Sequence, residues 1–145
     1  MRRFDFRLQR VLQWQQKICR LEEDKFRLCQ SDFAQAEAKI ARLAAECAAI
    51  EREFSTEQRL APTELRALAE FRRKSVSDAQ TLEKERQDRL TALNAQRQKL
   101  LSARRRLEVI EKLRERALHE YTREADRELE ALSHESYLST WLARR

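Results

Sequence analysis

The sequence of 145 residues contains no glycine, a single proline and only two histidines. Turns depend on glycine, proline, asparagine and aspartate, so a chain this poor in the first two should reverse direction rarely. Without glycine it cannot form a glycine-rich loop around phosphate groups. The two histidines, His119 and His134, lie far apart in the sequence and do not suggest a metal pair. We therefore expect no metal site, no bound cofactor and no enzymatic activity.

Long hydrophobic runs are also missing. The longest nearly apolar run, Ile40–Ile50, is interrupted by Arg42 and Glu46 and is too short to span a bilayer. The first fourteen residues lack the continuous apolar segment of a signal peptide, and their pattern continues unbroken beyond residue 14. We expect a cytosolic protein with no removable presequence and no direct insertion into a membrane.

Charged residues make up 39% of the chain, and the formal net charge is +6. Alanine, leucine, glutamate, lysine, arginine and glutamine dominate, which is typical of coiled coils and long helices. Disorder is the competing interpretation of such high charge, but the apolar residues are too regularly spaced for it. Arg104–Arg106 could contact phosphate, yet no interleaved aromatic residues surround it, so we expect no nucleic-acid partner.

Apolar residues in the first half recur at steps that alternate between four and three, the a/d pattern of a coiled coil. We call this series the α1 seam; its positions are Leu8, Leu12, Gln15, Cys19, Glu22, Phe26, Cys29, Phe33, Ala36, Ile40, Leu43, Cys47, Ile50 and Phe54. All three cysteines lie on it, which favours small buried hydrophobes over a disulfide framework. Phe4, Val11, Ile18 and Leu21 form a second apolar stripe beside it.

The second half carries a matching but less regular seam from Ala79 to Tyr121. Pro62 disfavours a helix before it and suits the first turn of a new one. Ser77-Asp78-Ala79-Gln80 has the form of a capping box, which marks another helix start. We predict a single coiled-coil domain over residues 1–145. Its parts are helix one at about 4–58, a reversal and short helix at about 59–76, and a long helix at about 77–140.

A reversal near residue 61 would place Phe54 opposite Leu68 and Leu12 opposite Ile110. Apolar partners at both ends favour an all-α fold, a long antiparallel two-helix coiled-coil hairpin with a short helix near the reversal and a C-terminal helical overhang. Helix reversals commonly use glycine at positive φ, and none is present. The alternative is therefore a kinked helix that dimerises in parallel.

Charge is distributed unevenly along the chain. Residues 1–27 carry eight basic and four acidic side chains, and residues 97–116 carry eight basic and three acidic ones. The hairpin would bring these two stretches together, which predicts an acidic partner at that end. Beyond Tyr121 acidic residues prevail, and apolar residues there have no predicted partner within the chain. These partner-binding tail candidates are Leu129, Leu132, Trp141 and Leu142.

The opening Phe4-Asp5-Phe6-Arg7-Leu8-Gln9-Arg10-Val11-Leu12 resembles the start of the flagellar FliJ export proteins. Members commonly begin with two aromatic residues at this spacing, then a basic residue, a leucine and a Val-Leu pair. The stretch LEVIEKLRER at 107–116 is similar to the later helix of the family, and length and two-helix layout match. The chain departs from the family in lacking glycine at the reversal and in having Leu132-Ser133-His134 where many members have Leu-Asp-Glu.

The resemblance implies a non-catalytic component of the flagellar type III protein export apparatus, on which motility depends. Such proteins resemble the central stalk of rotary ATPases: the paired termini sit in the ring of the hexameric export ATPase, and the reversal points toward the membrane export gate. They have also been linked to escorting export chaperones. The implied location is the cytoplasm, peripherally associated with the inner membrane through the apparatus.

Carried over residue by residue, the resemblance gives two sets of contact candidates. The candidates for the ATPase are Phe4, Phe6, Arg7, Leu8, Val11 and Leu12. The candidates for the export gate are Leu65, Leu68 and Phe71, for which packing against Ile50 and Phe54 is the alternative. The alternatives for the whole protein are an injectisome stalk, a generic coiled-coil scaffold or dimerisation protein, and a nucleic-acid-binding helical protein.

Overall fold

The structure is a computed structural model that describes residues 3–56 and 59–143. Two α-helices account for most of these residues: α1, Gln9–Thr56, and α2, Pro62–Ala143. The described residues contain no strand, and the two long helices pack against each other, so the all-α class is confirmed. Neither helix, over these residues, has a stretch long and apolar enough to cross a membrane.

Helix α1 begins later than the sequence suggested. Residues 3–6 have no regular structure, residues 7 and 8 form a turn, and the Gln9 amide donates a 2.9 Å hydrogen bond to the Phe6 carbonyl. The predicted start at Phe4 is wrong, because tertiary contacts replace the first helical turn: the Phe6 side chain is buried and the Phe4 ring packs on Tyr121. The predicted end near residue 58 lies outside the described residues, and α1 is described as far as Thr56.

Helix α2 begins at Pro62, where the sequence predicted a helix start. The Ala61 carbonyl accepts hydrogen bonds from the amides of Glu64 at 3.0 Å and Leu65 at 3.1 Å. The Glu64 carboxylate in turn accepts one from the Ala61 amide at 2.8 Å, which is half of a capping box with alanine at the N-cap. No described residue has a positive φ, so this part of the reversal does not require glycine.

The predicted short helix near the reversal does not exist as a separate element. Helix α2 is continuous through residues 75–77, and the Thr81 hydroxyl donates a 3.1 Å hydrogen bond to the Ser77 carbonyl inside it. A capping box needs a non-helical N-cap residue. Neither proline nor glycine occurs at residues 75–77, so nothing there forces the chain out of the helix. Ser77 therefore lies inside a helix that runs on to Ala143.

Contacts group the chain into two compact units, one made of Met1–Arg20 with Leu101–Arg145 and the other of Leu21–Leu100. The single domain of the sequence analysis stays a prediction. In the Leu21–Leu100 unit, ion pairs join Lys39 to Glu85 at 2.9 Å and Asp32 to Arg89 at 3.3 Å. Residue numbers rise in α1 as they fall in α2, so the helices of this unit run antiparallel, with Ala36, Leu68 and Leu100 buried.

In the other unit, residues 3–20 pack against residues 101–125. Its buried apolar side chains are Phe6, Leu12, Cys19, Ala103 and Ala125. All positions of the α1 seam are buried or half-buried, as the heptad pattern predicted, and all three cysteines are free. The second stripe is only partly covered, since Val11 and Leu21 are exposed and Phe4 lies outside the helix.

Candidate functional site

Exposed apolar side chains occur among charged ones on three surfaces, and these are the candidate sites. Among the described residues, no group of three or more histidine, cysteine, aspartate or glutamate side chains could bind a metal ion. Each surface lies within one of the two units, and each contains residues that the sequence had singled out.

The first surface, the N-terminal surface, is the outer side of residues 7–18. The six residues predicted to contact the ATPase differ in exposure. Phe6 and Leu12 are buried, at 8% and 4% exposure, and belong to the core. Leu8 is half-buried, whereas Arg7 and Val11 are exposed. Phe6 and Leu12 pack within this unit, and their direct contact with a partner stays a prediction. Arg7 and Val11 remain candidates.

Trp14 is 59% exposed on this surface and was not among the predicted contact residues. The signal was available: Val11, Trp14 and Ile18 recur at steps of three and four, so they share one face of α1. This stripe lies among Arg7, Arg10, Lys17 and Arg20, and no acidic residue occurs between residues 6 and 21. The N-terminal surface is therefore apolar and basic.

Phe4 has a structural role beside this surface. Its ring centroid lies 5.5 Å from that of Tyr121 with the planes tilted by 55°, a favourable geometry for an aromatic pair. The pair borders an open groove of about 710 Å³ in the same unit. The groove is lined by Arg3, Phe4, Asp5, Ala117, Glu120, Tyr121, Glu124, Ala125 and Glu128. Four of the nine lining residues carry carboxylates and one, Arg3, is basic, so the groove is acidic.

The second surface, the reversal-end surface, lies on the first turns of α2. Leu65 is exposed, Phe71 is half-buried and Leu68 is buried, so Leu68 packs within the unit and its direct contact with a partner stays a prediction. Val76 is also exposed and was not predicted. Eleven residues separate it from Leu65, about three helical turns, so the two side chains lie on the same face.

Arg72 lies between Leu65 and Val76 on that face and is fixed by Glu51. Its guanidinium donates two hydrogen bonds to the carboxylate, at 2.5 and 2.6 Å. This bidentate contact lowers the pKa of Glu51 below its ordinary value of 4.5 and raises the pKa of Arg72. Both groups thus stay charged at neutral pH, and the reversal-end surface has a rigid charged pair beside two exposed apolar side chains.

The third surface is the tail of α2, where every residue from 126 to 143 is exposed. The tail candidates Leu129, Leu132, Trp141 and Leu142 all lie there. They do not form one apolar side, however. At about 100° per residue, Leu129 and Leu132 lie within about 60° of each other, whereas Trp141 lies on nearly the opposite side of the helix. Leu129 and Leu132 can contact one partner helix together, whereas Trp141 cannot join them.

Two long helices that pack against each other place the protein among the all-α, two-helix proteins. The chain belongs to the flagellar FliJ protein family, since the family model described as "Flagellar FliJ protein" matches residues 4–133. No curated protein and no solved structure matches the chain at a significant level.

The family match confirms the resemblance seen in the sequence. Membership makes the protein a component of the flagellar protein export apparatus, within a family of non-catalytic proteins. It also favours the flagellar system over an injectisome.

Proposed function

We propose that the protein is a stalk of the flagellar type III export apparatus that binds the hexameric export ATPase and links it to the membrane export gate. Export chaperones would be further partners. It would act in the cytoplasm, associated with the inner membrane through the apparatus alone. The observation that carries the proposal is the family match, because residues 4–133 include both the N-terminal surface and the reversal-end surface.

The ATPase contact is assigned to the N-terminal surface. Arg7, Val11 and Trp14 are exposed there, in a stretch whose ionised side chains are all basic. A basic surface with an aromatic anchor fits an acidic partner, since charge complementarity steers association and buried aromatic residues supply much of the binding energy. Phe6, Leu8 and Leu12 would support this surface from beneath rather than contact the ATPase.

The gate contact is assigned to the reversal-end surface. Leu65 and Val76 offer exposed apolar area on one face, and the Arg72–Glu51 pair fixes the charged group between them. Leu68 and Phe71 would hold this face in position by packing. The two contacts lie in different units of the chain, so each can be disrupted without removing residues of the other.

The proposed mechanism is mechanical and allosteric rather than chemical. A helical protein that contacts ring subunits unequally stabilises some of their conformations over others. Binding would therefore shift the conformational equilibrium of the ATPase subunits and promote assembly of the hexamer. Nucleotide hydrolysis stays with the ATPase.

The test is to add the purified protein to the purified export ATPase and to measure nucleotide turnover and hexamer formation. We expect both to rise, and we expect the double variant Arg7→Glu, Trp14→Ser to lose most of this effect. The matched control is Leu28→Ser, because Leu28 is 66% exposed on the same helix, comparable with Trp14 at 59%, but belongs to the other unit. An ATPase indifferent to the wild-type protein would refute the proposal.

A further inference from the structure

The tail of α2 carries one coherent apolar face, which we call the tail stripe. It consists of Leu118, Ala125, Leu129 and Leu132, which lie within about 60° of one another on the continuous helix. Ala125 is buried, whereas Leu118, Leu129 and Leu132 are exposed. The stripe is fifteen residues long, about 21 Å, which is the contact length of a helix of four turns.

The tail stripe continues a face that already packs within its unit. Ala125 and Tyr121 line the groove beside Phe4, so the N-terminal segment packs on this side of α2 as far as Ala125. From residue 129 onward the same side of the helix is uncovered. Leu129 and Leu132 therefore extend a packing face beyond the point where the described residues supply a partner for it.

Carboxylates flank the tail stripe on both sides. Glu124, Glu128 and Glu135 lie about 60° to 100° from Ala125 on one side. Glu115 and Asp126 lie at about 80° to 100° on the other. Neither Glu124 nor Glu128 forms an ion pair with another described residue. Both flanks of the stripe are thus negatively charged.

From Arg116 to Ala143 the basic side chains of α2 avoid the stripe. Arg116, Arg123 and Arg127 lie about 160° to 200° from Ala125, on the opposite side of the helix. Arg114, one turn before Leu118, lies about 20° from Ala125, so the stripe is flanked by carboxylates alone only from Leu118 onward. The surface is therefore complementary to an apolar stripe with positively charged flanks.

We propose that the tail stripe binds an amphipathic helix of a partner protein whose apolar face is flanked by lysine and arginine residues. The partner helix would place apolar side chains against Leu129 and Leu132 and its cations against the flanking carboxylates, the helix-on-apolar-face mode of recognition. The proposal is independent of the stalk function, because it uses neither the N-terminal surface nor the reversal-end surface.

The probe is a synthetic helical peptide of eighteen residues with leucine on one face and lysine on both flanks, labelled for fluorescence anisotropy. We expect it to bind the full-length protein and to bind more weakly as salt is added, because exposed charge pairs are screened. A peptide with glutamate in place of each lysine should bind at least tenfold more weakly.

Two variants of the protein identify the surface. Leu129→Ser with Leu132→Ser should weaken peptide binding at least tenfold, and Glu124→Gln with Glu128→Gln should both weaken it and flatten its salt dependence. The matched control is Leu138→Ser, because Leu138 is 56% exposed, comparable with Leu132 at 62%, but lies on the far side of the helix. Circular dichroism at 222 nm should be unchanged in all variants, since the mutated side chains are exposed or at the surface.

Three outcomes would overturn the proposal. The first is peptide binding that survives Leu129→Ser with Leu132→Ser, and the second is an equal loss with Leu138→Ser. The third is self-association of the protein, seen by sedimentation equilibrium and abolished by the leucine double variant. In that case the occupant is a second copy of this chain, whose basic stretch at residues 7–20 has the complementary charge.

Discussion

In residues 21–100, α1 and α2 are joined at the surface by charged pairs: Lys39 with Glu85, Asp32 with Arg89, and Glu51 with Arg72. In the unit of residues 3–20 and 101–143, the contacts between segments include apolar and aromatic ones. Phe6 and Leu12 are buried there, and Phe4 packs on Tyr121. Exposed ion pairs contribute little to stability but depend strongly on geometry, whereas apolar burial stabilises without fixing a register.

The difference suggests a division of work between the two units. Charged pairs in residues 21–100 select one alignment of the helices, because a shift by one residue would separate the partners. Apolar burial in the other unit attaches the N-terminal segment to α2 and thereby positions the N-terminal surface. The following predictions test this division, beginning with the largest expected effect.

The largest effect is expected from Leu12→Ala. Leu12 is 4% exposed, and deletion of a buried leucine side chain leaves a cavity and costs about 2–5 kcal/mol. The loss should be concentrated in its own unit. Hydrogen exchange should therefore speed up in residues 9–20 and 101–125 more than in residues 30–90. Urea unfolding followed at 222 nm gives the total change.

The matched control for Leu12→Ala is Leu28→Ala, a leucine on the same helix that is exposed. Its unfolding midpoint should stay close to that of the wild type, since exposed substitutions change stability by about 0.5 kcal/mol or less. Equal acceleration of exchange in both units by Leu12→Ala would contradict the division.

Much of this fold is predictable from sequence, because apolar residues recur at the helical period wherever one side of a helix is buried. Every position of the α1 seam is covered, and Pro62 begins α2 as predicted. The errors have two causes. Ser77 carries a capping pattern that an uninterrupted helix does not use, and Phe4 and Phe6 leave the helical path because tertiary contacts compete with local preference.

The candidate surfaces are harder to predict than the fold. A heptad pattern identifies the buried face but does not say which remaining apolar residues stay exposed. Trp14 and Val76 were missed for this reason, since neither lies on a seam. Conversely, Phe6 and Leu68 were selected for a motif or for their spacing, and the structure shows that both are buried.

A second prediction compares the two buried glutamines of the seams. Gln96 donates hydrogen bonds to the Glu22 carbonyl and carboxylate, whereas the buried Gln15 Oε1 has no partner among the described residues. An unpaired buried polar atom costs about 1–3 kcal/mol, so Gln15→Leu should stabilise the protein by about 1 kcal/mol. Gln96→Leu should destabilise it, because it removes the hydrogen bond that the part-buried amide donates to the Glu22 carboxylate.

Thermal and urea unfolding of the two variants measure these opposite shifts. The control for added apolar area is Gln13→Leu, at an exposed position of α1, which should change stability by about 0.5 kcal/mol or less. A lower midpoint for Gln15→Leu would show that the amide oxygen has a stabilising partner.

The smallest expected effect is a loss of stability at acidic pH, and it should occur mainly in residues 21–100. Hydrogen bonds from Arg72 and Lys39 lower the pKa values of Glu51 and Glu85, respectively, below their ordinary value of 4.5. Since the folded-state pKa values are lower than the unfolded ones, this stabilisation is fully present above about pH 4.5. It is lost progressively as the pH falls through the folded-state values.

Hydrogen exchange at a series of pH values, corrected for intrinsic rates, distinguishes the two units. As the pH falls below about 4.5, protection should decline earlier in residues 30–90 than in residues 9–20. Glu51→Gln should reduce this decline near the reversal, because the neutral side chain has no proton to gain. The Glu108–Lys112 pair lies within one turn of α2, so its protonation should not separate two segments. An acid response of equal size in both units would show that the charged pairs do not fix the alignment in residues 21–100.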